Sequence, residues 1–196
     1  DLHLHQQSQF ILVIFILRRI LNYFKMKNTF GIVGWSGSGK THLICRIIKY
    51  YNNKKLNVCS IKHSHHNFEV DKKGKDSYEH LKSGSKEVVI YNEYKFAMIT
   101  TKKKKKINLK DIVNKFSPDT DIVLIEGLKK GPTKKIEVYR DSIKKPLLCL
   151  KDKNIKALIF DKVSPKISQI NLPKFHIDET EKIGSFILKE IENEKK

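Results

Sequence analysis

The segment Gly34-Trp35-Ser36-Gly37-Ser38-Gly39-Lys40-Thr41 constrains this chain more than any other. It matches the pattern G-x-x-x-x-G-K-[ST], and its flanks supply the context that gives the pattern meaning. The apolar run Asn28 to Val33 reads as a strand entering the first glycine. After the lysine, Leu43, Ile44, Ile47, Ile48 and Tyr51 recur at helical spacing over Thr41 to Tyr51. Strand, tight glycine loop and helix in that order form a phosphate cradle. Glycines let successive backbone N–H groups turn inward, and the helix adds the positive end of its dipole. In such a loop Lys40 reaches the terminal phosphates of a nucleoside triphosphate and the Thr41 hydroxyl ligates Mg²⁺.

The rest of the chain alternates strand-like and helix-like stretches. Strands are expected at Asn57 to Lys62, Val88 to Tyr91, Phe96 to Thr101, Asp121 to Ile125, Lys135 to Tyr139 and Ala157 to Phe160. Helices are expected at Asp76 to Lys82, Leu109 to Phe116 and Glu179 to Ile191. This order predicts an α/β fold of the P-loop NTPase type, a mainly parallel sheet flanked by helices with a few antiparallel additional strands. The ligand belongs at the carboxyl ends of the strands.

A magnesium site needs a carboxylate at that same edge. Asp121 and Glu126 bracket the apolar run Ile122 to Ile125. At about 3.3 Å per residue their Cα atoms lie roughly 16 Å apart, so only one faces the phosphates. Glu126 is that one, because it sits at the carboxyl end, and Asp121 reads as a loop or cap residue. Asp71, in the polar loop after the second strand, is a further candidate for holding magnesium or its water. The cluster His63, His65 and His66 sits on the ligand side but has no cysteine or carboxylate set to complete a tetrahedral metal site. Phosphate or partner contact is the better reading.

Composition narrows the remaining classes. A length of 196 residues suits one packed domain. The formal charge of +19 comes from 40 Lys plus Arg against 21 Asp plus Glu. Lysine is spread along the whole chain, and few aromatics interleave with the run Lys102 to Lys106 to make a stacking platform. The charge therefore reads as a solvated surface rather than a nucleic-acid face. Three cysteines far apart form no zinc or redox spacing and fit a reducing cytoplasm; Cys45, among apolar neighbours, is expected in the core. Residues 1–25 differ from the remainder. The unbroken apolar run Phe10 to Leu17 has eight residues, against the roughly 20 that span a bilayer. Arg18 and Arg19 follow that run where a secretory signal places its charge before it. We expect residues 1–25 to be an extension that is not native to the domain, and 26–196 to form a single nucleotide-binding domain starting at Met26.

Beyond the phosphate loop, the chain carries Ile61-Lys62-His63-Ser64-His65-His66, then Asp71 and Gly74-Lys75-Asp76-Ser77-Tyr78. Further on stand Ser83-Gly84-Ser85, Ile125-Glu126-Gly127-Leu128-Lys129 and Lys135-Ile136-Glu137-Val138-Tyr139-Arg140. Together these resemble the molybdopterin-guanine dinucleotide biosynthesis adaptor family, MobB, over most of Asn28 to Ile191. Two departures stand out: Lys73 where the family usually has proline before Gly74, and Ser83 and Ser85 where it has alanines. The resemblance implies a cytoplasmic, dimeric GTP-binding protein with at most weak GTPase activity. It implies assistance to the guanylyltransferase that attaches GMP to molybdopterin. Guanine selectivity is not visible in the motifs. An Asn-Lys-x-Asp signature would need an aspartate after Asn114-Lys115-Phe116, but that position is Ser117; Asp161, after the strand Ala157 to Phe160, is a candidate to accept from a guanine edge. A small-molecule kinase using ATP and a basic nucleic-acid-binding module are the competing classes.

Overall fold

The computed structural model describes residues 28–64, 68–101 and 106–193. The extension 1–25, His65 and His66 lie outside the described residues, as does all of the lysine run except Lys106. The chain falls into two compact units, one of residues 28–63 and 113–193 within the described range, the other of 64–112.

The larger unit is built on a six-stranded sheet. In chain order its strands are β1 (Thr29–Val33), β2 (Val58–Lys62), β5 (Ile122–Glu126), β6 (Lys135–Tyr139), β7 (Ile155–Phe160) and β8 (Lys174–His176). They lie side by side as β2-β5-β1-β6-β7-β8, and every pairing is parallel. Parallel strands need covered faces, which is why β1 and β6 are buried along their full length. Helices α1 (Lys40–Asn53) and α5 (Thr180–Glu192) cover one face. Leu43, Ile44, Ile47 and Tyr51 of α1 meet Ile183, Ile187 and Ile191 of α5 over Phe30, Ile32, Leu124 and Ile136. A second cluster of Tyr139, Leu147, Leu158 and Ile167 completes the core.

The two helices touch through a glycine. A Cβ at Gly184 would lie 2.6 Å from the Tyr50 ring, and the Tyr51 hydroxyl donates to the Gly184 carbonyl at 2.9 Å. Gly184→Ala is therefore expected to cost about 1–3 kcal/mol by overpacking, seen as a lowered urea midpoint. Cys45 is exposed, contrary to its expected place in the core. On α1 it stands one step off the stripe of Leu43, Ile44, Ile47 and Tyr51, and that 100° rotation turns it to solvent.

The smaller unit contains α2 (Asp76–Lys82) and the antiparallel hairpin β3 (Glu87–Tyr91) and β4 (Phe96–Thr100), with α3 (Leu109–Val113) beginning at its end. The Asn92 side chain accepts from the Tyr94 and Lys95 amides, closing the hairpin turn. β8 and the one-turn helix α4 (Pro165–Ser168) lie outside the strands and helices expected from sequence. Three residues carry too little periodicity to announce a strand, whereas Ser164-Pro165 is a helix-start signal that could have placed α4.

Candidate functional site

The parallel order brings the carboxyl ends of the sheet to one edge, and the loop Gly34 to Gly39 lies there between β1 and α1. Its backbone needs glycine. Gly34 has φ +149°, and a Cβ would stand 2.3 Å from the Val138 carbonyl oxygen on β6, a backbone atom that cannot give way. Gly37 takes φ +78° with open space around it, so its requirement is conformational rather than steric. Gly39 is the N-cap of α1, and the helix has no side-chain cap and no acid in its first turn. Its leading amides are thus without a side-chain acceptor, the condition in which a helix start holds an anion. The Ser38 side chain is buried, and its hydroxyl oxygen has no hydrogen-bond partner.

The charges around the loop favour a polyanion. Lys40 Nζ donates to the Trp35 carbonyl at 2.7 Å. Burial is the main cause that lowers the Lys40 pKa; Glu126 works against the shift, and Lys129 and Lys62 add to it by like-charge repulsion. Lys62 pairs with Glu126 at 2.7 Å, and the Lys129 ammonium stands 3.9 Å above the Trp35 ring. Lys62 and Lys129 thus both repel Lys40 while Glu126, already paired with Lys62, is the one acid acting on it, an imbalance that a triphosphate would relieve. Trp35 is held from its other end, its indole N–H donating to the Pro146 carbonyl at 2.7 Å.

The structure brings Thr41 and Glu126 together, the hydroxyl donating to Oε1 at 3.1 Å. A hydroxyl and a carboxylate at the head of a phosphate loop are the donor set that suits Mg²⁺. Asp121 lies at the amino end of β5, where it accepts from the Asn57 amide at 2.7 Å. Asp71 belongs to the smaller unit and accepts from the Lys72 amide. The Asp161 carboxylate is turned toward Arg140, at 3.8 Å, and it is not among the residues lining the cavity beside the loop. That cavity, about 500 Å³, is lined by Gly37, Lys40, Thr41 and His42 together with Arg46, Arg140 and Asp178. Its volume suits a small ligand. Among the described residues, no group of three or more His, Cys, Asp or Glu could hold a metal ion.

Two buried charges on β6, next to the loop strand, escaped the sequence reading. Lys135 is 1 % exposed and donates to Asp152 and to the carbonyls of Lys129 and Gly131. Burial alone would raise the Asp152 pKa, but hydrogen bonds from Lys135 and Asn154 hold it below its ordinary value. A depressed carboxylate adds stability that is present above its unfolded pKa and lost as pH falls through the folded value. Lys135→Met is expected to cost about 2 kcal/mol by stranding these acceptors, and to reduce that acid-side loss in pH-dependent unfolding, leaving the part due to Asn154. Glu137 accepts from the Leu148 and Cys149 amides, both at 2.8 Å.

Comparison with known proteins agrees with this architecture. The family profile described as molybdopterin guanine dinucleotide synthesis protein B matches residues 29–161. The molybdopterin-guanine dinucleotide biosynthesis adapter protein of Haemophilus influenzae is 42% identical over 118 residues, 60% of this chain and 66% of the relative. Its Escherichia coli counterpart is 33% identical over 113 residues, 57% of this chain and 65% of the relative. The chain thus spans just under two thirds of the length of these two relatives. The crystal structure of Bacillus subtilis MobB superposes with a TM-score of 0.66 at 26% identity, covering 83% of this chain and 97% of that one. With the family profile spanning the loop, β5 and β6, this chain belongs to the MobB family, molybdopterin guanine dinucleotide synthesis protein B.

Proposed function

We propose that this protein is a GTP-binding adapter in molybdopterin guanine dinucleotide biosynthesis, working with the guanylyltransferase of that pathway and its molybdopterin substrate. The observation that carries the reading is the Thr41–Glu126 contact at 3.1 Å, with Lys62 paired to the same carboxylate and Lys40 next in the chain to Thr41. It is a triphosphate and magnesium cradle in a chain whose relatives are named as adapters of this pathway. In this reading Gly34 to Gly39 wrap the phosphates, Lys40 binds the terminal ones, and Thr41 with Glu126 holds Mg²⁺.

Bound magnesium would neutralise phosphate charge. The chain's own part is to bind and orient, with hydrolysis at most weak. The protein acts in the cytoplasm as a homodimer; among the described residues no helix is long and apolar enough to cross a membrane.

Calorimetric titration of the full chain with GTP and ATP, in the presence of Mg²⁺ and with released phosphate followed in parallel, tests this. Tight GTP-selective binding with slow turnover is expected. Preference for ATP, with turnover at about 1 to 100 per second that waits on an added acceptor, would make the protein a small-molecule kinase.

A further inference from the structure

The cavity beside the phosphate loop is walled by a residue that the loop motif does not contain. Arg140 follows β6 in the chain, yet its guanidinium lies against Gly39. A Cβ on that glycine would stand 3.1 Å from Nη2 and 3.6 Å from Cζ. The Arg140 Nε is buried without a hydrogen-bond partner. The nearest acid is Asp161, whose Oδ2 is 3.8 Å from that Nε, beyond hydrogen-bond range. Its neighbour in the same cavity, Arg46, is engaged differently, with Nη1 on Asp178 at 3.0 Å and Nη2 on the Ile177 carbonyl. A planar cation with five donors, set against the head of an uncapped helix, is built to take a phosphate oxygen.

We propose that Arg140 is a nucleotide ligand, its guanidinium binding an inner phosphate at the Gly39 end of the loop, with Asp161 as the positioning residue behind it. The proposal rests on reading Gly34 to Thr41 as a nucleotide site. The phosphate is assigned from the contact of Arg140 with Gly39. A P-loop lysine reaches the outer phosphates and the loop amides cradle the inner ones. Arg140 lies against Gly39, one of those loop residues, and both line the cavity together with Lys40 and Thr41. Arg140 therefore stands beside the inner phosphates, which GTP and GDP share. Asp161 keeps the guanidinium from swinging out, and its carboxylate is set by the end of β7.

The test is calorimetry of the full chain with GTP and with GDP, each with Mg²⁺, on wild type, Arg140→Ala, Arg140→Lys and Asp161→Asn. Charge-assisted hydrogen bonds of this kind correspond to about 10- to 100-fold in affinity. Arg140→Ala should weaken GTP and GDP alike by that factor, and Arg140→Lys should recover part of it. Asp161→Asn should lose less, and add nothing when combined with Arg140→Ala. Unchanged GTP affinity in Arg140→Ala, beside a Lys40→Ala control that has lost it, overturns the proposal and leaves the phosphate loop intact. A loss confined to GTP places the contact on the outermost phosphate and overturns the assignment. A wild-type chain that binds neither nucleotide overturns this proposal and the reading beneath it together.

Discussion

Lys40→Ala is expected to weaken triphosphate binding by at least about 100-fold while the six-stranded sheet stays folded. Two charge-assisted hydrogen bonds to phosphate, each on the order of 1.5–3 kcal/mol, account for that loss. In the ligand-free chain the side chain contributes little to stability. Its donor is satisfied by the Trp35 carbonyl, and burial, with Lys129 and Lys62, lowers its pKa. A lysine pKa below its ordinary value means that the native state holds fewer protons than the unfolded chain between the two values. Stability then rises with pH through that window, and the alanine variant should lose the rise. Calorimetry gives the affinity, and urea unfolding across alkaline pH gives the linkage. An affinity within about threefold of wild type would remove Lys40 from the site.

The largest effect on stability is expected at Glu137, a side chain 0 % exposed. Its two oxygens accept the Leu148 and Cys149 amides, and the same loop offers the Pro146 carbonyl to the Trp35 indole. Glu137→Ala strands both amides in the interior, at about 1–3 kcal/mol for each unpaired group. We expect a total of about 3 kcal/mol in urea unfolding. Glu137→Gln keeps one acceptor and should cost less. Burial raises the Glu137 pKa, and the amide hydrogen bonds work against that shift. The native state therefore binds the proton more tightly than the unfolded chain, so this group's contribution falls as pH rises from the unfolded value through the folded one. The alanine variant should lack that slope. Burial first, and then the neighbouring Glu137 charge, also push the Cys149 thiol up to about 12. Removing the glutamate should therefore speed alkylation of Cys149. A variant with wild-type stability and thiol reactivity would show that the loop is held by other contacts.

The phosphate loop was legible because its geometry is local. Gly34, Gly37 and Gly39 adopt positive φ, and contiguous residues encode both that backbone and the helix start after it. The placement of Glu126 at the loop edge and of Asp121 at the far end was also legible, since strand direction alone separates them. The alternation of strand and helix determined the parallel sheet, whose likeness to solved MobB structures follows.

What the tertiary structure decided are contacts that depend on which strand lies beside which. Placing β6 between β1 and β7 buries Lys135 and Glu137, and nothing in their spacing distinguishes them from surface charges. The same placement carries Arg140 to Gly39 and turns Asp161 toward that arginine. A one-dimensional pattern records periodicity and turn chemistry, which act over a few residues. Pairing across some hundred residues is set by the packing energy of the whole sheet, and no local signal encodes it.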